Sequence, residues 1–145
     1  PSFGERRKAA LADIAIAETN TKFSLSEVKL GINPAVIGPF VIKKIGLSHF
    51  KSLGISGEMI DTNYALRIGL IHEIADEDEL ETAVINKVNL LLKAGPNAIA
   101  EFKANCENMN EEEAATRIAI LRSGFAPSMS ERYFLYEASH RKSGS

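Results

Sequence analysis

A chain of 145 residues, 45% apolar and 25% charged, is sized and composed for one globular domain or a large part of one. Its net charge of −2 supplies no basic footprint for nucleic acid or anionic lipid, and no apolar run reaches the ~18 residues that a spanning helix needs. A single cysteine, Cys106, excludes an intramolecular disulfide and leaves a cysteine-rich zinc site without ligands.

The first residues, Pro1 to Lys8, are polar and charged, and Ala9 to Ala12 turn helix-friendly. Arg6, Arg7 and Lys8 precede only a short apolar stretch that Asp13 interrupts, so the start does not read as a secretory signal and the expected compartment is the cytoplasm. Asp13-Ile14-Ala15-Ile16-Ala17 predicts a short buried strand, because small and branched apolar residues run without polar alternation. Glu18 to Thr21 form a turn. Phe23 and Leu25 then alternate with Ser24 and Ser26, the period of a half-buried strand. Gly31 allows a tight bend, Asn33 suits an N-cap and Pro34 the first helical turn, where no amide bond is lost. Glu27 therefore falls between a strand and a helix mouth. Taken alone it is an ordinary loop carboxylate.

After Pro34, Val36, Ile37, Phe40, Val41 and Ile45 recur at helical spacing, Lys43 and Lys44 suit the helix C-terminus, and Gly46 closes the run. Ser48 can cap a second short helix, stopped at Gly54. Ile55 to Asp61 read as extended, Thr62 as the cap of a helix over Asn63–Ile68 ending at Gly69, and Leu70 to Ile74 as a strand. From Asp76 onward every segment is expected to be helical. Leu80, Val84, Val88 and Leu91 share one face, with Ile85 and Leu92 beside them. Gly95-Pro96 restarts the chain into a helix through Ile99, Phe102 and Lys103. A third helix opens on Glu111, Glu112 and Glu113 and carries Arg117 and Arg122, favourable for its dipole. After a break from Gly124 to Pro127, Ser128 or Ser130 opens a last helix with Phe134, Leu135, Met129 and Ala138 inward. The polar tail from Arg141 frays.

Few constellations carry chemistry on spacing alone. His49, His72 and His140 stand singly, without the spacing of metal ligands, and His72 reads as a structural residue at a strand end. Cys106 reads as a buried, inert thiol. Ser24 and Ser26 lack the context of a nucleophilic serine.

Two strings point further. Phe23-x-x-x-Glu27, followed by Leu30-Gly31 and a helix led by Pro34, resembles the enoyl-CoA hydratase/isomerase (crotonase) family around its second catalytic glutamate. Gly57-Glu58 followed by Ala65-Leu66-Arg67-Ile68-Gly69-Leu70-Ile71-His72-Glu73-Ile74 is similar to the same family's wording. The resemblance implies an α/β fold of the ClpP/crotonase spiral type, with residues 1–75 as the C-terminal part of the α/β core and residues 76–145 as a helical oligomerisation region that packs trimers or hexamers. It implies an acyl-CoA substrate and hydration or isomerisation of an enoyl-CoA thioester, with Glu27 as general acid or base. No metal, redox cofactor, nucleic acid or membrane is implied; coenzyme A arrives within the substrate.

The resemblance extends residue by residue. The position of the family's first glutamate is Arg7, so a two-glutamate water clamp is absent. Gly4 matches the glycine whose amide helps stabilise the thioester oxyanion, although Phe3, Glu5 and Arg6 replace the family's glycine-rich turn. The second oxyanion amide and most of the adenine pocket belong to an N-terminal half, so the chain is expected to be the C-terminal portion of a crotonase. Leu30, Pro34, Ala35 and Val36 line the implied acyl pocket, and Asn33-Pro34-Ala35-Val36-Ile37-Gly38-Pro39 is similar to hydratases of methylglutaconyl-CoA type. Arg141 and Lys142 either meet coenzyme A phosphates or form a solvated tail. The competing reading is a truncated, catalytically incompetent piece that serves assembly.

Overall fold

The computed structural model describes residues 12–25, 38–107, 116–121 and 133–138. Four strands and four helices follow in the order β1 (Ile14–Glu18), α1 (Gly38–Ser56), α2 (Thr62–Arg67), β2 (Glu73–Ala75), α3 (Leu80–Lys93), α4 (Pro96–Glu107), β3 (Thr116–Leu121) and β4 (Tyr133–Ala138). The strands form one sheet in the order β2-β1-β3-β4. β1 is parallel to both neighbours, with Ile16 opposite Glu73 on one side and Ile120 on the other, and β4 closes the sheet antiparallel to β3.

β1 lies inside the sheet and is buried on both faces, which is why its sequence runs Ile-Ala-Ile-Ala without polar alternation. Alternate residues divide the core in two. Ala15, Ala17 and Leu121 pack with Val41, Ile45 and Leu53 of α1 and Ala65 of α2. Ile16, Ile118 and Ile120 meet Leu80, Val84, Val88 and Leu91 of α3 on the other side. Ile16 and Ile118 are fully buried, and each such side chain contributes about 1.5–3 kcal/mol on leaving water. The result is a sheet between two helical layers.

Several sequence expectations hold. β1 falls within one residue of its predicted bounds, and the predicted face of α3 is the one that packs. Gly46 does interrupt the first helix: at φ 79° and ψ 163° it divides α1 into two helical pieces, a conformation that glycine adopts without a Cβ clash.

Others are corrected. The expectation of helix throughout the second half fails at 116–121 and 133–138, which are strands. Ile118 and Ile120 are β-branched two residues apart and bury into one cluster, a period-two pattern that suits a strand beside β1. Tyr133, Phe134 and Tyr136 are aromatic residues of the kind that favour strands, and their segment pairs along all of β3. Ile85 and Leu92 do not join the α3 contact face; they are 58% and 70% exposed. The cap of α2 is Asp61, whose Oδ1 accepts from the Tyr64 amide at 2.8 Å. Thr62 is instead the first helical residue. β2 begins only at Glu73, because the amides of Leu70 and Ile71 are already taken by the Ala65 carbonyl at the end of α2. The second piece of α1 continues past Gly54 to Ser56. Cys106 is exposed, not buried. The Asn33-Pro34 helix start, the acidic run Glu111–Glu113, the break at 124–127 and the tail lie outside the described residues.

Candidate functional site

At the carboxyl end of β1 the chain turns and is tied down by short hydrogen bonds. In parallel α/β sheets this is the end where ligands bind. The Thr19 amide donates to the Ala75 carbonyl at 3.0 Å, and the Thr62 hydroxyl donates to the Thr19 carbonyl at 2.9 Å. The Thr19 hydroxyl donates to Asp76 at 2.6 Å. Glu18 is only 2% exposed, and its Oε1 accepts from the backbone and side-chain amides of Asn20. The Thr21 hydroxyl reaches the Leu121 carbonyl at 3.4 Å, joining the turn to β3.

Beyond the turn, Phe23 and Ile60 exchange both backbone bonds, at 3.0 and 2.8 Å, as an antiparallel bridge, and Leu25 is buried. The predicted strand is reduced to this single bridge, and Phe23 and Ser24 are both half-buried, so only the burial of Leu25 follows the expected alternation. On the far side, Gly38 opens α1 against the Phe50 ring, where a Cβ would meet Phe50 Cζ at 3.1 Å. The segment 26–37, which carries Glu27, Leu30, Pro34, Ala35 and Val36, lies in the sequence between Leu25 and Gly38. Those five residues, together with Gly4, Arg7, Arg141 and Lys142, lie outside the described residues.

The amino end of β1 holds a charged cluster that spacing did not reveal. Asp13 pairs with Lys103 of α4 at 2.8 Å, and Lys87 of α3 pairs with Glu73 of β2 at 3.3 Å. Lys44 of α1 lies half-buried with its Nζ 3.5 Å from the Leu70 carbonyl. Burial lowers its pKa from 10.5 to about 8, and the nearby Asp13 carboxylate only partly offsets this. Gly69, at φ 85°, lets the chain pass close to α1, since a Cβ there would lie 3.1 Å from the Lys44 carbonyl. His72 joins β2 to β1 twice. Its amide donates to the Ala15 carbonyl at 2.8 Å, and its Nδ1 accepts from the Ala15 amide at 3.0 Å. Its pKa is lowered by partial burial of the ring and by Lys44 and Lys87, against Asp13.

The sequence reading of His72 as a structural strand-end residue agrees with these bonds. Its pairing with Ala15 was not legible, because 57 residues separate the two. Lys44 was read for the helix dipole; its burial follows from the Gly69 approach rather than from helix position. Beside this cluster, Asp13, Ile14, Leu91, Ile99, Phe102 and Cys106 border an open groove of about 570 Å³. Among the described residues no three His, Cys, Asp or Glu side chains gather as metal ligands, and no helix is long and apolar enough to cross a membrane.

A mixed sheet between two helical layers defines the chain as an α/β protein, and the family follows from comparison. The profile of the enoyl-CoA hydratase/isomerase family matches residues 7–133. The chain belongs to the enoyl-CoA hydratase/isomerase family. It is 30% identical over 138 residues to an enoyl-CoA hydratase of Alternaria alternata, covering 92% of this chain and 46% of that protein. A short-chain-enoyl-CoA hydratase of Clostridium acetobutylicum is 28% identical over 118 residues, covering 81% and 45% respectively. The chain thus spans a little under half of each of these relatives. Among solved structures, an enoyl-CoA hydratase/isomerase from Marinobacter aquaeolei superposes with a TM-score of 0.63 at 35% identity, covering 69% of this chain and 38% of that one. An enoyl-CoA hydratase from Shewanella pealeana gives 0.65 at 35% identity, over 69% and 37%. The fold is α/β of the crotonase-like type.

Proposed function

We propose that the chain contributes the acid-base half of an enoyl-CoA hydratase-type lyase, with Glu27 as the general acid or base. The observation that carries this reading is the anchoring of Phe23–Leu25. The two-way bridge to Ile60 and the buried Leu25 fix the chain up to two residues before Glu27. General acid-base help needs a carboxylate held within hydrogen-bond reach of the reacting carbon or water, and a pinned chain supplies that restraint. The enolate-like charge on the thioester oxygen would be stabilised by amide donors, Gly4 among them. Leu30, Pro34, Ala35 and Val36 would shape an acyl pocket suited to a branched enoyl group of methylglutaconyl type, and Arg141 and Lys142 would face the coenzyme A phosphates. The substrate's own coenzyme A is then the sole non-protein group required. The assembly in this reading is a cytoplasmic homo-oligomer, a trimer or hexamer, acting with an N-terminal half of the kind the family resemblance implies.

A second reading has one specific residue in its favour. Arg7 occupies the position of the family's first glutamate, which suits a piece that serves assembly without chemistry. Hydration of crotonyl-CoA and 3-methylglutaconyl-CoA separates the two. The catalytic reading expects turnover that Glu27→Gln lowers at least a hundredfold, in keeping with the roughly 10²–10⁴-fold contribution of general acid-base catalysis. A folded chain that turns over neither thioester and binds no coenzyme A supports the assembly reading.

A further inference from the structure

The strongest feature outside the proposed site is the pair of hydrogen bonds between His72 and Ala15. The parallel ladder of β1 and β2 runs from Ile16 opposite Glu73 to Glu18 opposite Ala75, three pairs only. His72 extends it by one rung with a side chain. Its backbone N–H takes the Ala15 carbonyl, and its ring nitrogen takes the Ala15 N–H, so one residue satisfies both backbone groups of a buried strand position. A ring nitrogen that accepts an amide proton cannot carry a proton of its own, which fixes the neutral ring with its hydrogen on Nε2.

We propose that His72 is an acid-sensitive clasp that holds the β2 edge onto β1 through its unprotonated Nδ1, and that protonation of the ring opens this end of the sheet. When Nδ1 gains a proton it becomes a donor facing the Ala15 donor. The ring must then turn away, and the buried Ala15 amide loses its acceptor, a costly state for a backbone N–H.

The surroundings reinforce the effect. Lys44 from α1 and Lys87 from α3 are positive and oppose a positive charge on the ring, while Asp13 from β1 favours it. Lys103 from α4 holds Asp13 at 2.8 Å and Glu73, the neighbour on β2, is held by Lys87, so both nearby carboxylates are engaged by other cations. The folded-state pKa is lowered below 6.5, so the clasp's stabilisation is fully present above pH 6.5 and is lost as pH falls through the folded value. The cluster is therefore arranged to keep the clasp closed at neutral pH and to release it in acid. A residue that merely filled space at the strand end would not need the ring nitrogen at all.

The test follows the Ala15 amide of the 145-residue chain by NMR between pH 7.5 and 5. The ring nitrogens should show the Nε2–H tautomer and a pKa below 6.5. Hydrogen-exchange protection of Ala15, measured against the α2 amide of Ala65 whose acceptor is Asp61 O, should then fall by up to tenfold per pH unit as the ring charges. His72→Asn, which keeps a short amide acceptor without a titrating proton, should hold Ala15 protection level across the range. His72→Phe should lose it at every pH. Unchanged Ala15 protection in the wild-type chain while the ring titrates would overturn the proposal, as would the same acid loss in His72→Asn. The wild-type titration decides the question even where a variant does not fold.

Discussion

The two ends of β1 are built from different chemistry. At the carboxyl end, the turn is tied by threonine hydroxyls and backbone groups: Thr19 to Ala75, Thr62 to Thr19 and Thr21 to Leu121. These bonds carry no charge, and beside them the carboxylates of Asp76 and Glu18 accept from the Thr19 hydroxyl and from Asn20. At the amino end, the ties run through Asp13, Lys44, His72 and Lys103. The ties named at the carboxyl end join hydroxyls, amides and carboxylates, whereas those at the amino end pair a carboxylate with a lysine and use a histidine ring.

The largest expected effect comes from breaking the charged end. Asp13→Ala removes the partner of Lys103 at 2.8 Å, and urea unfolding at pH 7 should show a loss of about 2 kcal/mol, reduced from the fully buried case because both side chains retain some contact with water. Combining it with Lys103→Met should recover much of the loss, since the ammonium is then gone as well. At the carboxyl end, Thr62→Val deletes one uncharged hydroxyl bond to the Thr19 carbonyl. A loss of about 1 kcal/mol is expected, and it should be the same at pH 6 and pH 8. A loss that varies with pH would erase the distinction between the two ends.

Lys44→Met tests the charged end in the opposite direction. Lys44 has a folded pKa of about 8 against 10.5 for the free side chain, so the unfolded chain binds its proton more tightly. Wild-type stability should therefore rise with pH between about 8 and 10.5 as this group loses its charge. The methionine variant should gain about 1 kcal/mol at pH 7 and flatten that part of the profile.

What was legible in the sequence follows the range of the forces involved. β1 and the packed face of α3 were readable because burial on one or two faces leaves a local period. Gly46 was readable because the requirement for a left-handed backbone is local to one residue. β3 was not, since Thr116-Arg-Ile-Ala-Ile-Leu121 is ambiguous between helix and strand until β1 is known to lie alongside it. β4 depends in turn on β3. The charged cluster was invisible for the same reason: Asp13, Lys44, His72 and Lys103 come from four separate segments. The site residues read from family wording rest on local strings, and the structure bears on them only through the anchors on either side, Leu25 and Gly38.

The placement of β1 between β2 and β3 also sets the order in which the sheet can form. Its first partner comes from residues 73–75, but the other comes from residues 116–121, and the Thr21 hydroxyl bonds a carbonyl one hundred residues away. During synthesis, β1 leaves the ribosome well before β3, and one side of its backbone stays open until residues 116–121 emerge. Closing so long a loop is slow and costs entropy before any contact is gained. In the interval the nascent strand is a template for any other extended chain, and its Ala15 and Ala17 offer little bulk to turn one away.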